Sequence, residues 1–398
     1  MDTAGRIVKE LLHEEVSLWY ISDEFGSKVM VKIPSITIKA LIKGCRVEFT
    51  FGKNIQPKAI MFHTGIRIYD DTLHYLSVTG INRFKDEHTS LEKIMNRNST
   101  YVHFHNELNV CVATATLSFT VSDQLKVLNM LNDIETLYVG EFDKDAKNSL
   151  DCFDYSLDNQ RQFNNVHKIE LLIIEANISE WKMMKNTFIG LNESNHMIAD
   201  DENEGKIFEK QIWVGLESLF NYQLFKNPQI LLKKGLRELT DIFAFSDYGL
   251  FLFETKAISI LSTDANRTME RKVATLQKQI EKGINQLIGA AKKITEKVAV
   301  YDSKGNEILF NKELIPHCIV LVSELLPFGN WKEIELKMFT AMVENKIYLN
   351  VMDFKEFMQQ IGMARGSKDR FDYLLIERVK QLTEHQTIHI KIREAPHE

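Results

Sequence analysis

The chain has 398 residues, 44% of them apolar and 26% charged, with a formal net charge of −6. That length suits two or three domains with separate cores, and the mild negative charge excludes a protein that coats nucleic acid over its whole surface, so any basic footprint must be local. No apolar run approaches the ~20 residues of a membrane span, which excludes a helical membrane partner or anchor from the reading.

Residues 28–33, 46–51, 65–70, 101–105 and 110–119 carry the alternation or short apolar runs of strands. Helical period is sparse in this half. It is clearest over residues 122–137, where Leu125, Leu128, Leu131 and Ile134 recur every three residues and Ser122 is placed to cap. His103 and His105 share one strand face, which permits a metal pair, yet no third ligand accompanies them and a structural role is expected. Residues 192–205 are polar, acidic and aperiodic, as linkers are. The expected organisation is therefore a β-rich N-terminal domain over 1–191, a linker over 192–205, and a second domain over 206–398.

Residues 206–220 form an amphipathic helix with Phe208, Ile212, Leu216, Leu219 and Phe220 on one face and Glu209 at its border. A strand over 229–232 follows, then a turn at Lys233-Lys234-Gly235 and a strand opened by Asp241. Asp247-Tyr248-Gly249 turns the chain back into the apolar run that ends in Glu254-Thr255-Lys256. Residues 266–297 read as one long helix with Met269, Val273, Leu276, Ile280, Ile284, Leu287, Ala291 and Ile294 inward, beside a polar stripe of Gln279, Lys282, Gln286 and Lys293. Strands over 315–323 and 346–351 follow, and Asp353 caps a helix through 361. Helices alternating with strands indicate an α/β arrangement, so the whole is an α+β and α/β two-domain chain.

The start Met1-Asp2-Thr3-Ala4-Gly5-Arg6 lacks the basic-then-apolar layout of a signal peptide, and Cys45, Cys111, Cys152 and Cys318 are scattered without CxxC spacing. Both point to a cytoplasmic protein with reduced thiols.

The chemistry concentrates between residues 240 and 256. Strand side chains alternate faces, so Glu254 and Lys256 point the same way, and Asp241 enters the neighbouring strand. Two acids and a lysine on adjacent buried strands are costly unless a divalent metal and a phosphate accompany them, which is the chemistry of a metal-dependent nuclease.

In the order helix, Asp strand, Glu-x-Lys strand, helix, residues 206–361 resemble the PD-(D/E)xK or restriction-endonuclease-like superfamily, and are most similar to its nuclease-related-domain members. The family's Pro before the Asp is replaced by Thr240. The resemblance covers about two fifths of the chain and implies a mixed sheet flanked by helices. It also implies Mg²⁺ or Mn²⁺ bound by Asp241 and Glu254 with the Thr255 carbonyl, catalytic Lys256, and Glu209 holding a second metal or a water, with Glu217 and Glu238 as rivals for that last place. Gln279, Lys282 and Gln286, with Arg267 and Arg271 at the helix start, would line the nucleic-acid channel. The implied activity is phosphodiester hydrolysis, on DNA, in genome defence or repair. The alternative is an inactive member of the fold acting as a nucleic-acid-binding or assembly module. The N-terminal run resembles a pleckstrin-homology-like barrel and is expected to recognise, sense or form a homo-oligomer.

Overall fold

In the computed structural model, the described residues are 3–13, 17–55, 59–69, 75–132, 134–157, 169–191, 194–199, 201, 203–232, 235–257 and 269–392. The chain divides into two compact units, one of residues 1–186 with 198–200, the other of 187–197 with 201–398.

The first unit runs α1 (Thr3–His13), β1 (Leu18–Asp23), β2 (Gly26–Lys32), α2 (Ser35–Ile42), β3 (Arg46–Ile55), β4 (Ile60–Tyr69), β5 (Leu76–Asn82), α3 (Lys85–Met95), β6 (Thr100–His105), β7 (Cys111–Ser118), α4 (Val121–Met130), α5 (Lys144–Leu157) and β8 (Ile169–Met183). Its strands form one nearly closed sheet of order β1-β2-β6-β7-β8-β3-β4-β5, antiparallel except for the parallel β2–β6 pair. The long β8 makes the turn of the sheet: its first half pairs with β3 and its second with β7. A register shift opposite Thr114–Thr116 and the positive φ of Glu180 mark the bend between the halves. Phe49, Phe51, Phe62, Ile66 and Phe104 fill the interior.

This unit is richer in helix than the sequence suggests. In α3 the buried set includes Glu87, His88 and Ser90, and in α5 it includes Ser149, so apolar periodicity is diluted at positions that do face inward. α5 lies so close to the sheet that a Cβ at Gly52 would stand 2.5 Å from the Phe153 ring. Beside it His63, stacked on Phe153, bonds Ser149, and burial drives its pKa down to about 3. His103 and His105 lie on β6, and burial lowers both, His105 to about 4. The cap of α4 is Thr120 rather than Ser122: the Thr120 hydroxyl accepts the Asp123 N–H at 3.2 Å. That helix also stops at Met130, and a separate 3-10 turn holds Ile134–Thr136.

The second unit takes in residues 187–197 and 201–398, so it begins ahead of the segment 192–205 expected to be a linker. β9 (Asn186–Ile189) pairs with β10 (Ser194–Met197), and the Asn203 side chain caps α6 (Glu204–Glu217). Burial of Asn195 and Met197 anchors this hairpin despite its acidic surroundings. Then follow β11 (Leu224–Lys226), β12 (Gln229–Leu232), β13 (Gly235–Glu238), β14 (Ile242–Phe245), β15 (Leu250–Lys256), α7 (Met269–Thr295), β16 (Val300–Tyr301), β17 (Pro316–Val322), α8 (Lys332–Asn345), β18 (Tyr348–Asp353), α9 (Phe354–Ala364) and α10 (Lys368–His385). The main sheet has the order β11-β14-β15-β17-β18, with an antiparallel meander giving way to parallel pairs at β15. β12, β13 and β16 form a separate small sheet.

The turn between β14 and β15 closes at Ser246, whose hydroxyl accepts the N–H groups of Tyr248 and Gly249. β15 and β17 are nearly continuous apolar runs because helices cover both faces. α7 packs on the face of Cys318 and Val320, while Phe220, Phe357 and Phe371 from the ends of α6, α9 and α10 cover Phe251 and Phe253 on the other.

The C-terminal α10 buries a charged residue, Arg378, beside the apolar Phe371, Leu375 and Leu382. Its guanidinium donates to the carbonyls of Ile388 at 3.1 Å and Ile390 at 3.3 Å, tying down the chain that follows the helix. Removing it strands two buried acceptors. Arg378→Met is therefore expected to destabilise the unit by about 3 kcal/mol, read from the urea midpoint. A loss below about 1 kcal/mol would show that water or a shifted chain satisfies these carbonyls.

Candidate active site

The backbone around Asp241 is held from both sides. The Asn227 N–H donates to the Asp241 carbonyl at 2.8 Å, and the Thr240 hydroxyl donates to the Phe253 carbonyl at 2.7 Å. The register Ile242 with Phe253 continues to place Asp241 across from Glu254. Thr255 then fixes the Asp241 carboxylate, since its N–H (2.6 Å) and its hydroxyl (2.9 Å) both donate to Oδ2. On the same strand the Lys256 ammonium donates to Glu254 Oε2 at 2.8 Å, as alternation requires. The Glu254 side chain is 2% exposed and that of Lys256 12%.

Burial is the main force on these acids. It pushes Glu254 up to about 7; the Asp241 charge adds to the rise, Lys256 opposes it, and Glu238 contributes last. Glu209 on α6 is also raised, by burial and then by Asp241, against the pull of Lys226, Lys256 and Lys206. Glu238 at the end of β13 is raised by burial, Asp241 and Glu209. Four carboxylates from α6, β13, the entry to β14 and β15 thus share one field, and Lys256 opposes the rise in three of them. Glu238 and Lys226 were the less visible members. The only sequence signal for Glu238 is its place three residues before Asp241, at the end of a short exposed strand.

The other expected residues are less closely tied to the acids. On α7, Gln279 is half-buried, while Lys282 and Gln286 are exposed. Gly283 of this helix lies against the site. A Cβ there would lie 3.1 and 3.2 Å from the Val320 methyls and 3.5 Å from Lys256 Cε. Arg271 is exposed near the start of α7, and Arg267 lies outside the described residues. The contacts seen for Thr255 are its N–H and hydroxyl bonds to Asp241.

Among the described residues, no group of three or more His, Cys, Asp or Glu stands close enough to hold a metal ion. Asp241 and Glu254 each have one oxygen engaged by Thr255 or Lys256, which leaves Asp241 Oδ1 and Glu254 Oε1 for a ligand. Two carboxylate oxygens suit Mg²⁺, which binds through one or two carboxylates and keeps water and phosphate oxygens for its other positions. No family model, curated protein or solved structure matches the chain. Among the described residues, no helix is long and apolar enough to cross a membrane.

Proposed function

We propose that the second unit is a Mg²⁺- or Mn²⁺-dependent nuclease of the PD-(D/E)xK type that hydrolyses phosphodiester bonds in DNA. The observation that carries the reading is the meeting of Asp241, locked by Thr255, with the buried Glu254–Lys256 pair on adjacent antiparallel strands. When bound, the cation supplies Lewis acidity to the phosphate and a more acidic water.

The protein's own residues do the rest. Asp241 and Glu254 hold the cation through their remaining oxygens. Lys256 orients the attacking water and counters the charge that develops on the phosphate. Glu209 and Glu238 bear on the same field and hold a second ion or its water. Gln279, Lys282 and Gln286 of α7, with Arg271 at its start, contact the nucleic-acid backbone, and Arg267, outside the described residues, is proposed to join them. The first unit recognises the substrate or assembles copies of the chain, and a role in defence or repair rests on fold analogy.

One observation favours a second reading. The Lys256 ammonium is already hydrogen-bonded to Glu254, so the pair is also a plain buried ion pair in a nucleic-acid-binding module without catalysis. The two readings part in a simple assay. The purified chain is expected to nick plasmid DNA with Mg²⁺ or Mn²⁺ and to stop with EDTA. Protein that binds DNA but never cuts it, across both metals and single- and double-stranded substrates, would establish the non-catalytic module.

A further inference from the structure

The structure assigns Gly283 as the positioning residue for Lys256: the missing side chain at this point of α7 is what lets the helix lie on β15 and β17 with the Lys256 ammonium held on Glu254. α7 has 27 residues and two internal glycines. A helix-interior glycine destabilises by roughly 1 kcal/mol relative to alanine, so each calls for a reason. Gly289 is exposed, and an added Cβ would meet nothing within 4 Å. Gly283 is buried against the sheet, where a Cβ would press on both Val320 methyls at 3.1 and 3.2 Å and touch Lys256 Cε at 3.5 Å.

Val320 is the register partner of Glu254 on β17. The three side chains that Gly283 bears on, directly or through that pairing, are therefore Val320, Lys256 and Glu254. Gln279 and Gln286, four residues before and three after, flank the gap on one side of the helix, while Ile280 and Leu287 flank it on the other and are fully buried. The buried pair fixes the helix height over the sheet. Any side chain at 283 must then be accommodated by lifting the helix or by moving the Lys256 stem, because β17 is buried along its length. A branched side chain extends past Cβ and reaches the stem itself. Gly283 touches no reacting atom on any reading; it acts through Lys256.

The test reads the lysine directly on the full-length, metal-free protein. Reductive methylation with formaldehyde and cyanoborohydride, followed by mass spectrometry, gives a rate for each lysine. Gly283→Val is expected to raise the Lys256 rate about tenfold, the loss of one charge-assisted hydrogen bond, and Gly283→Ala to raise it less. Lys278 and Lys293 on the same helix should keep their rates, and Gly289→Ala should leave Lys256 unchanged. Val320→Ala removes the two methyls that a Cβ meets, so Gly283→Ala/Val320→Ala should return Lys256 to the wild-type rate. A wild-type Lys256 rate in both Gly283 variants would overturn the assignment. If a variant loosens the fold and all lysines react faster, the double variant decides: restoration confined to Lys256 supports the assignment, and none refutes it. The kinetic arm rests on the nuclease reading, which predicts a lower kcat at unchanged KM in Gly283→Ala and recovery in the double variant. A chain that never cuts DNA would sink that reading and leave the labelling result standing.

Discussion

Lys256→Met is expected to lower Mn²⁺-dependent DNA cleavage about 10²–10³-fold while leaving DNA binding close to wild type, and to lower the unfolding midpoint only where Glu254 is ionised, since the buried carboxylate then lacks its partner. Methionine keeps most of the apolar stem that lies near Gly283 and Val320 and removes only the charged donor. The ammonium has two jobs on the proposed reading, and the substitution affects both. It opposes charge on the phosphate, and it holds down the pKa of Glu254, whose rise it counters by hydrogen bond and by charge. Without it the Glu254 pKa rises further, and the group binds a cation less well at neutral pH. Cleavage should therefore be measured at saturating Mn²⁺ and above pH 8, where the metal-binding component is restored and the transition-state component remains. A variant that stays within tenfold of wild type under those conditions would show that Lys256 is not part of the chemistry, and the pair with Glu254 would be structural.

The parts of this site that could be read from the amino-acid order are those where burial and alternation coincide. The runs Ile242–Phe245 and Leu250–Lys256 are apolar on both faces because helices cover both, and a charged pair inside such a run stands out. The Asp247-Tyr248-Gly249 turn and the α7 period followed the same logic. Glu238 ranks only as a rival of Glu209, because it ends a strand that is exposed along its length and has no apolar contrast. Gly283 was silent. In sequence it is one more helix glycine, and its burial against Val320 and Lys256 is what separates it from Gly289. Where polar groups are buried, the pattern misleads: Arg378, Glu87 and Ser149 occupy inward positions that a hydrophobic period skips, so α10, α3 and α5 were not expected. The acidic run before α6 hid the short strand β10, whose Asn195 and Met197 are buried.

In metal-free buffer the second unit should lose about 3 kcal/mol of stability from Glu254 alone as pH rises from 4.5 to 7. The ordinary carboxyl value of 4.5 is raised to about 7 in the fold, so within this window the folded state binds the proton more tightly than the unfolded chain. Below 4.5 both states are protonated and the contribution to stability is fully present; above 7 it is gone. Glu209 and Glu238, raised by burial and by the Asp241 charge, act in the same direction. Glu87 in the first unit, also near 7, adds a similar slope, whereas the buried His63 and His105 oppose it at lower pH. The comparison must therefore be between wild type and Glu254→Gln, followed by hydrogen exchange in β15 and β17. Glutamine cannot ionise, so the difference between the two should grow by about 3 kcal/mol across the window and then level off. A divalent ion competes with the proton for the same oxygens. Mn²⁺ at a hundredfold its dissociation constant should restore about 2.7 kcal/mol to the wild type at pH 8, little at pH 5, and none to Glu254→Gln. Parallel pH curves for the two proteins would place the titrating group elsewhere, and equal Mn²⁺ stabilisation of both would move the cation away from Glu254.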